Sequence, residues 1–326
     1  MTSLKPIRRS IGIAAILAFG LVGALTGCTT PGTDPTPTTP TPGLVEFVDD
    51  LGNAVTVNNP QRVVACMGSF ANMWELAGGT LIGATEDVYD QYELTSTDVE
   101  TVGDFTAPNL ELIIALEPDF VIMTGASGGK GGGVAQSDLR GTLVGAGITV
   151  AYFTVSTFED YLRVLGIMTS ITDRTDLYEA NGTAVGDQID ALLAQVAGTA
   201  ETPNVLLMTT YSGGTRVQDS STMTGTMLAE LGAVNLADAH PSLLRDFSLE
   251  SIIELNPDFI LVVPMGNDTE AAMKNLQEAT AANPAWASLD AVKNERYVVL
   301  QPALFLYKPN ANWADSYQKL FDILYT

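Results

Sequence analysis

LELIIALEPDF at residues 110–120 returns as LESIIELNPDF at 249–259, identical at eight of eleven positions and displaced by 139 residues. Leu110, Ile113 and Ile114 in the first copy, like Leu249, Ile252 and Ile253 in the second, fall on one face of a helix. Each helix must stop at its proline, which lacks an N–H and disfavours the α conformation in the residue before it. A β-branched run follows each time, FVIMT at 120–124 and FILVV at 259–263. The unit is therefore helix, Pro-Asp turn and buried strand, used twice.

Working outward, RVVACM (62–67) and NVLLMTT (204–210) are unalternating apolar runs, as expected of strands covered on both faces. Each leads into a helix that ends near glycine, MWELAGG at 73–79 and MLAELGA at 227–233. ITVAYF (148–153) and RYVVL (296–300) supply later strands, and VEFVDD-LGN-AVTV reads as a hairpin turned at Leu51-Gly52-Asn53. Strand and helix alternate, so the fold class is α/β, with two lobes of mostly parallel sheet. Between the halves, Leu177, Ala180, Ala184, Ile189, Leu192, Leu193 and Val196 recur at helical spacing from about 173 to 197. Thr172 or Asp173 could cap this helix, and Gly182 and Gly186 weaken it by roughly 1 kcal/mol each. The helix reads as a strut joining the lobes.

The 326 residues carry a formal charge of −23, and from residue 28 onward 38 acids stand against 12 bases, or −26. Such a surface repels phosphate backbones and anionic lipid headgroups, which excludes nucleic-acid and polybasic membrane partners. A single histidine, His240, rules out sites built from several imidazoles. A hydrophobic content of 46% over this length supports a large core in two lobes.

Lys5, Arg8 and Arg9 precede an apolar run from Ile11 to Leu25, too short for a comfortable membrane span and read as a signal peptide. Leu25-Thr26-Gly27-Cys28 follows and resembles the bacterial lipobox, which implies a lipid on Cys28. Sec and twin-arginine export both remain open. Cys66 is then the one thiol left, most simply a small buried hydrophobe. TTPGTDPTPTTPTPG (29–43) has no side chain able to seed a core and reads as an extended tether. The expected organisation is a signal peptide at 1–27, a tether at 28–43, an α/β lobe at 44–156, a helical segment at 157–197 and a second α/β lobe at 198–326.

VDDLGNAVTVNNPQRVVAC, VGDFTAPNLELIIALEPDFVI, FSLESIIELNPDFILVV, NPAWASLDAVKNERYVVL and the closing LFLYKPNANWADSYQKLFDILY resemble, in order, segments of a known family. That family is the bacterial substrate-binding proteins of ABC importers for iron-siderophores, heme and cobalamin, the periplasmic binding proteins of class III. The resemblance implies two Rossmann-like lobes joined by one long helix, with the ligand in the cleft between them. Ligands of open α/β sheets sit beyond the carboxyl ends of the strands, which places the cleft in the same location. The candidate ligand-binding residues are accordingly Met67, Ser69, Phe70, Thr124, Ser127 and Lys130 in the first lobe. Tyr211, Arg216, Met223, Met265, Phe305, Tyr307 and Lys308 are those of the second. Tyr211 could stack on a ligand or cover the core edge, and Arg216 could meet an anion or lie solvated on the surface. The methionines suit an apolar pocket or core filler. The resemblance further implies acids that dock on permease arginines, for which Glu270 and Asp138 are the paired candidates and Glu75 the fallback.

Gly125-Ala126-Ser127-Gly128-Gly129 matches the nucleophile elbow, with Asp238 and His240 downstream. An elbow needs a helix directly after its serine, whereas six of the eight residues at 126–133 are Gly or Ser, so a surface serine hydrolase is disfavoured and stands only as the alternative of another class. A P-loop is rejected, since Thr124 and Gly131 stand where it needs Gly and Ser/Thr. The expectation is a non-enzymatic, monomeric, lipid-anchored extracytoplasmic protein that needs no cofactor. Its partners are an ABC permease and its ATPase, and its ligand is an iron(III)-siderophore, with heme or a corrinoid (cobalamin) as the alternative. A bare Zn or Mn ligand is disfavoured for want of histidines. The inter-lobe helix limits closure to a few degrees or ångströms.

Overall fold

The computed structural model describes residues 43–125, 135–199, 201–245, 247–266 and 268–326. The described chain opens with a hairpin, β1 (Leu44–Val48) against β2 (Ala54–Asn58), in antiparallel register. Asp49 organises its turn, accepting the Leu51 and Asn53 N–H groups on Oδ1 at 3.0 and 2.8 Å.

The first lobe contains β3 (Val63–Ala65), β4 (Gly83–Ala84), β5 (Glu100–Thr101), the short pair β6 (Gly103–Asp104) and β7 (Ala107–Pro108), then β8 (Phe120–Thr124) and β9 (Thr149–Phe153). Its main sheet has the order β5-β4-β3-β8-β9, and every pairing is parallel. The second lobe contains β10 (Asn204–Tyr211), β11 (Gly214–Gln218), β12 (Val234–Asn235), β13 (Phe259–Pro264) and β14 (Tyr297–Val299). Here the order is β11-β10-β13-β14, with β12 also on β10. Only the β10/β11 pairing is antiparallel. Both lobes are thus α/β with mostly parallel sheet, as the alternating pattern predicts.

The sequence repeat is a repeat of structure. Asn109 caps the Leu110–Ala115 helix by accepting the Glu111 and Leu112 N–H groups, and Ser248 caps the Leu249–Leu255 helix by accepting that of Ser251. The residue before each proline lies in the left-handed region, Glu117 at φ 46° and Asn256 at φ 44°. Each following aspartate then clasps the start of the neighbouring strand. Asp119 accepts the Gln61 and Arg62 N–H groups at 2.7 and 2.9 Å, and Asp258 accepts that of Asn204 at 2.8 Å. The clasps set equivalent registers, Val63 opposite Phe120 and Val205 opposite Phe259.

Strand parity decides which core each side chain joins. Val63, Ala65, Phe120, Ile122, Val205, Leu207, Phe259 and Leu261 all belong to one buried cluster that spans both lobes. Their neighbours point the other way, Val64, Cys66 and Val121 into an outer cluster of the first lobe, and Leu206, Met208 and Ile260 into one of the second. Cys66 is fully buried, and burial pushes its thiol well above the ordinary range.

The lobes are joined by a helical run whose geometry changes along its length. Helix Phe158–Ile171 starts with a Thr157/Asp160 capping box. A second run follows as an α-turn at Thr175–Tyr178, a π-turn at Glu179–Thr183 and an α-helix at Ala184–Val196. The expected cap is corrected: Thr172 closes the preceding helix, its hydroxyl donating to the Ala77 carbonyl at 2.5 Å, and Asp173 sits at φ 56°. The π-turn is where Tyr161 reaches across, its hydroxyl donating to the Asn181 carbonyl at 2.8 Å. Gly182 packs closely on the preceding helix, where a Cβ would stand 3.0 Å from Leu162. The final helix, Trp313–Tyr325, packs on Ala184–Val196. It also reaches the second lobe, where Tyr317 donates to the Glu230 carboxylate.

Candidate functional site

A cleft of about 610 Å³ lies between the lobes, and its lining comes from five places beyond the carboxyl ends of parallel strands. Met67 and Ser69 follow β3, Glu86 to Tyr92 follow β4, and Asp104 and Phe105 follow β5; Met265 and Gly266 follow β13, and Leu306, Tyr307 and Lys308 follow β14. Local chemistry fixes each. Gly68 opens the helix after β3, and its N–H donates to Asp87 Oδ2 at 2.8 Å. Only glycine fits there, because a Cβ would stand 2.8 Å from the Val88 backbone. Asp104 turns the β6/β7 hairpin by accepting the Thr106 N–H and hydroxyl at 2.7 and 2.6 Å. The Tyr92 hydroxyl donates to the Lys308 carbonyl at 2.8 Å, and Asn310 donates to the Ser69 carbonyl at 2.9 Å and to Asn72 at 2.8 Å. These bonds stitch the segment after β14 onto the first lobe behind the cleft.

The lining is acidic. Glu86, Asp87, Asp90 and Asp104 contribute four carboxylates, and Lys308 is the one base among the described lining residues. Burial pushes the Asp87 carboxyl above its ordinary range despite the Gly68 hydrogen bond, with the charge on Asp104 adding to the rise. Burial likewise raises the Tyr307 phenol, helped by Asp90 and Asp87, and lowers the Lys308 ammonium. Among the described residues Lys308 has no ion-pair partner. Among the described residues, Ser69 Oγ and Asp87 Oδ1 are buried without a well-formed hydrogen bond.

Of the thirteen ligand candidates named from sequence, Met67, Ser69, Met265, Tyr307 and Lys308 converge on this cleft. Others lie elsewhere. Phe70 is 1% exposed and packs edge-on against Phe153 in the core, because it falls on the inner face of its helix. Phe305 is 4% exposed and, with Met223, lines a separate pocket of about 140 Å³ in the second lobe that shares only Leu306 with the cleft. Thr124 ends β8, its N–H donating to Gln136, and is not part of the lining. β10 runs on through Tyr211, which pairs with Gly214 across a tight turn, so Tyr211 and Arg216 belong to an edge hairpin. The Arg216 guanidinium stacks 5.1 Å from the Tyr211 ring centre. Ser127, Lys130 and Cys28 lie outside the described residues.

Asp138 and Glu270 are exposed, Glu270 in the first turn of helix Thr269–Ala281. Glu75 instead faces its own lobe, accepting the Thr95 and Ser96 N–H groups at 2.8 and 2.7 Å. Asp238, one of the residues weighed for a hydrolase, is committed to the Ser220 N–H and hydroxyl at 3.0 and 2.6 Å. Sequence reading missed Glu86, Asp87, Asp90, Gln91, Tyr92, Asp104, Phe105 and Leu306. β4 and β5 are two residues long each, too short to leave an apolar run that marks the loop after it.

The chain matches the family described as Periplasmic binding protein over residues 63–304 and belongs to that family. The heme uptake system protein IsdE of Staphylococcus aureus is 24% identical over 174 residues, which are 52% of this chain and 59% of that relative. The chain therefore spans about three-fifths of the length of the curated relatives it matches. Among solved structures, S. aureus IsdE complexed with heme superposes with a TM-score of 0.66 at 17% identity, covering 81% of this chain and 99% of that one. S. aureus SirA complexed with staphyloferrin B gives 0.65 at 23% identity, covering 86% and 97%. At these identities the likeness is one of fold, and these neighbours are binding proteins.

Proposed function

We propose that this protein is the substrate-binding component of an ABC importer, capturing an iron(III)-siderophore or related metal chelate and handing it to a membrane permease. The observation that carries this reading is the cleft of about 610 Å³, set between two lobes at the carboxyl ends of their strands, where small-molecule ligands of such sheets sit. Capture is non-covalent, and the protein is not an enzyme. The chain acts as an extracytoplasmic monomer, its Cys28 lipidated after removal of residues 1–27. Residues 28–43 tether lobes at 44–156 and 198–326, linked by the helical segment 157–197. The exposed acids Asp138 and Glu270, one on each lobe, suit arginines of a permease. One buried cluster runs through both lobes, which supports a closure of only a few degrees.

Heme is the second reading, favoured by the Met67 and Met265 thioethers and the Tyr307 phenol in one cleft, all side chains able to ligate heme iron. A thermal-shift titration against ferric hydroxamates, ferric catecholates, heme and cobalamin tests both. Saturation at a hundred times the Kd is expected to stabilise the fold by about 2.7 kcal/mol. A shift with heme alone replaces the first reading by the second, and no shift with any of the four overturns both.

A further inference from the structure

We propose that the cleft selects metal chelates by charge, favouring a ferric hydroxamate that bears a pendant ammonium and rejecting polyanionic chelates. This rests on the proposed function and names the ligand class of that same site. Three hydroxamates neutralise one iron(III), so a ferric tris-hydroxamate is neutral and a free amine on its backbone makes it cationic. A ferric tris-catecholate carries three negative charges, and heme carries two propionates.

The lining fits the first kind. Glu86, Asp87, Asp90 and Asp104 face a ligand with Lys308 as the single countercharge among the described lining residues, and its ammonium form is itself disfavoured by burial. A second feature points to a bound molecule independently of the acids. Ser69, 2% exposed, lines the cleft with a hydroxyl that makes no well-formed hydrogen bond among the described residues, the neighbouring Tyr92 phenol donating to the Lys308 carbonyl instead, and so has a hydrogen bond to give to an oxygen-rich ligand. The positive charge must arrive on an organic ligand, because no three acidic side chains among the described residues converge closely enough to hold a bare metal ion. Phe105, 36% exposed, places an aromatic face among these carboxylates, which suits an ammonium group. Focusing of the negative potential by the cleft walls raises the local concentration of a cationic chelate and lowers that of an anionic one.

The test is a matched pair. The full protein is titrated by intrinsic fluorescence with a ferric tris-hydroxamate carrying a free amine and with the same chelate N-acetylated. A ferric tris-catecholate and heme serve as anionic probes. The amine-bearing chelate is expected to bind about tenfold more tightly than its acetylated form at low salt, with the gap narrowing as salt is raised. The anionic probes are expected to bind at least about a hundredfold more weakly than the amine-bearing chelate. Glu86→Gln combined with Asp90→Asn, its fold checked by circular dichroism, should shrink the acetylation gap to about threefold. The salt series on the unaltered protein keeps the test decisive should that variant misfold. Equal affinity for the acetylated and amine-bearing chelates, or tighter binding of either anionic probe, overturns the inference while leaving the importer reading standing. Failure of every probe here, together with no thermal shift from cobalamin, overturns the importer reading itself.

Discussion

The two copies of the helix–Pro-Asp–strand unit are alike in backbone and unlike in what their lobes present to the cleft. Both hold a left-handed residue before proline and an aspartate that clasps the next strand. Beyond their strand ends the first lobe supplies all four carboxylates, whereas the second supplies a thioether, a phenol and a half-buried ammonium from Met265, Tyr307 and Lys308. The lesson is that the repeated unit builds the frame and the loops carry the chemistry. A ligand between these lobes meets carboxylates on one side and an ammonium, a phenol and a thioether on the other.

The strongest way to break this comparison is at the first helix of each lobe. A Cβ at Gly225 would stand 2.1 Å from the Asp219 carbonyl oxygen, and one at Gly68 would press on the Val88 backbone and on Asp87. Gly225→Ala is expected to cost about 3 kcal/mol or more in denaturant unfolding. Gly68→Ala should cost ligand affinity as well, which separate measurements of unfolding and titration will resolve. Next in size is Asn310→Ala, which removes the bonds to Ser69 and Asn72 and leaves an alanine in a left-handed conformation at φ 52°. About 2–3 kcal/mol is expected to be lost. Scattering with and without ligand should then show a larger closure than in the unaltered protein.

The clasps themselves should differ modestly. Asp119→Ala releases two backbone N–H groups, whereas Asp258→Ala releases one and the exposed Asn204 side-chain amide, which can turn to water, so losses of about 2 and 1 kcal/mol are expected from urea melts. An equal or reversed order would show that the number of clasped backbone N–H groups does not set the strength of each clasp. The smallest effect is a pH signature. The Asp87 carboxyl is raised by burial, so its contribution to stability is fully present below the unfolded carboxyl value and is lost as pH rises through the folded one. Asp87→Asn should accordingly raise the Tm at neutral pH and lose that advantage as the medium is acidified into the range where the native carboxyl is protonated.

Much of the frame is legible in the amino-acid sequence because each of its signals is local. Unalternating apolar runs mark strands buried on both faces, and a proline four residues after the last helical isoleucine marks where each helix must end. Met67, Ser69, Met265, Tyr307 and Lys308 satisfy the rule that ligands gather beyond strand ends and line the cleft. Phe70 and Phe305 satisfied the same rule and turned inward, because which face of a short helix meets the core depends on what packs against it. Tyr211 is not among the cleft-lining residues because β10 continues into a hairpin through Ser212 and Gly213.

The sequence by itself determined two α/β lobes of parallel sheet, an acidic body and a helical link, since each follows from residues near one another along the chain. Only the tertiary structure decided that Glu86, Asp87, Asp90 and Asp104 stand opposite Met265 and Lys308. Those partners are brought together by the order β5-β4-β3-β8-β9 and by the return of residues 308–310 to the first lobe. Strands of two residues carry no hydrophobic period to announce them, and long-range pairing leaves no trace in the segments it joins.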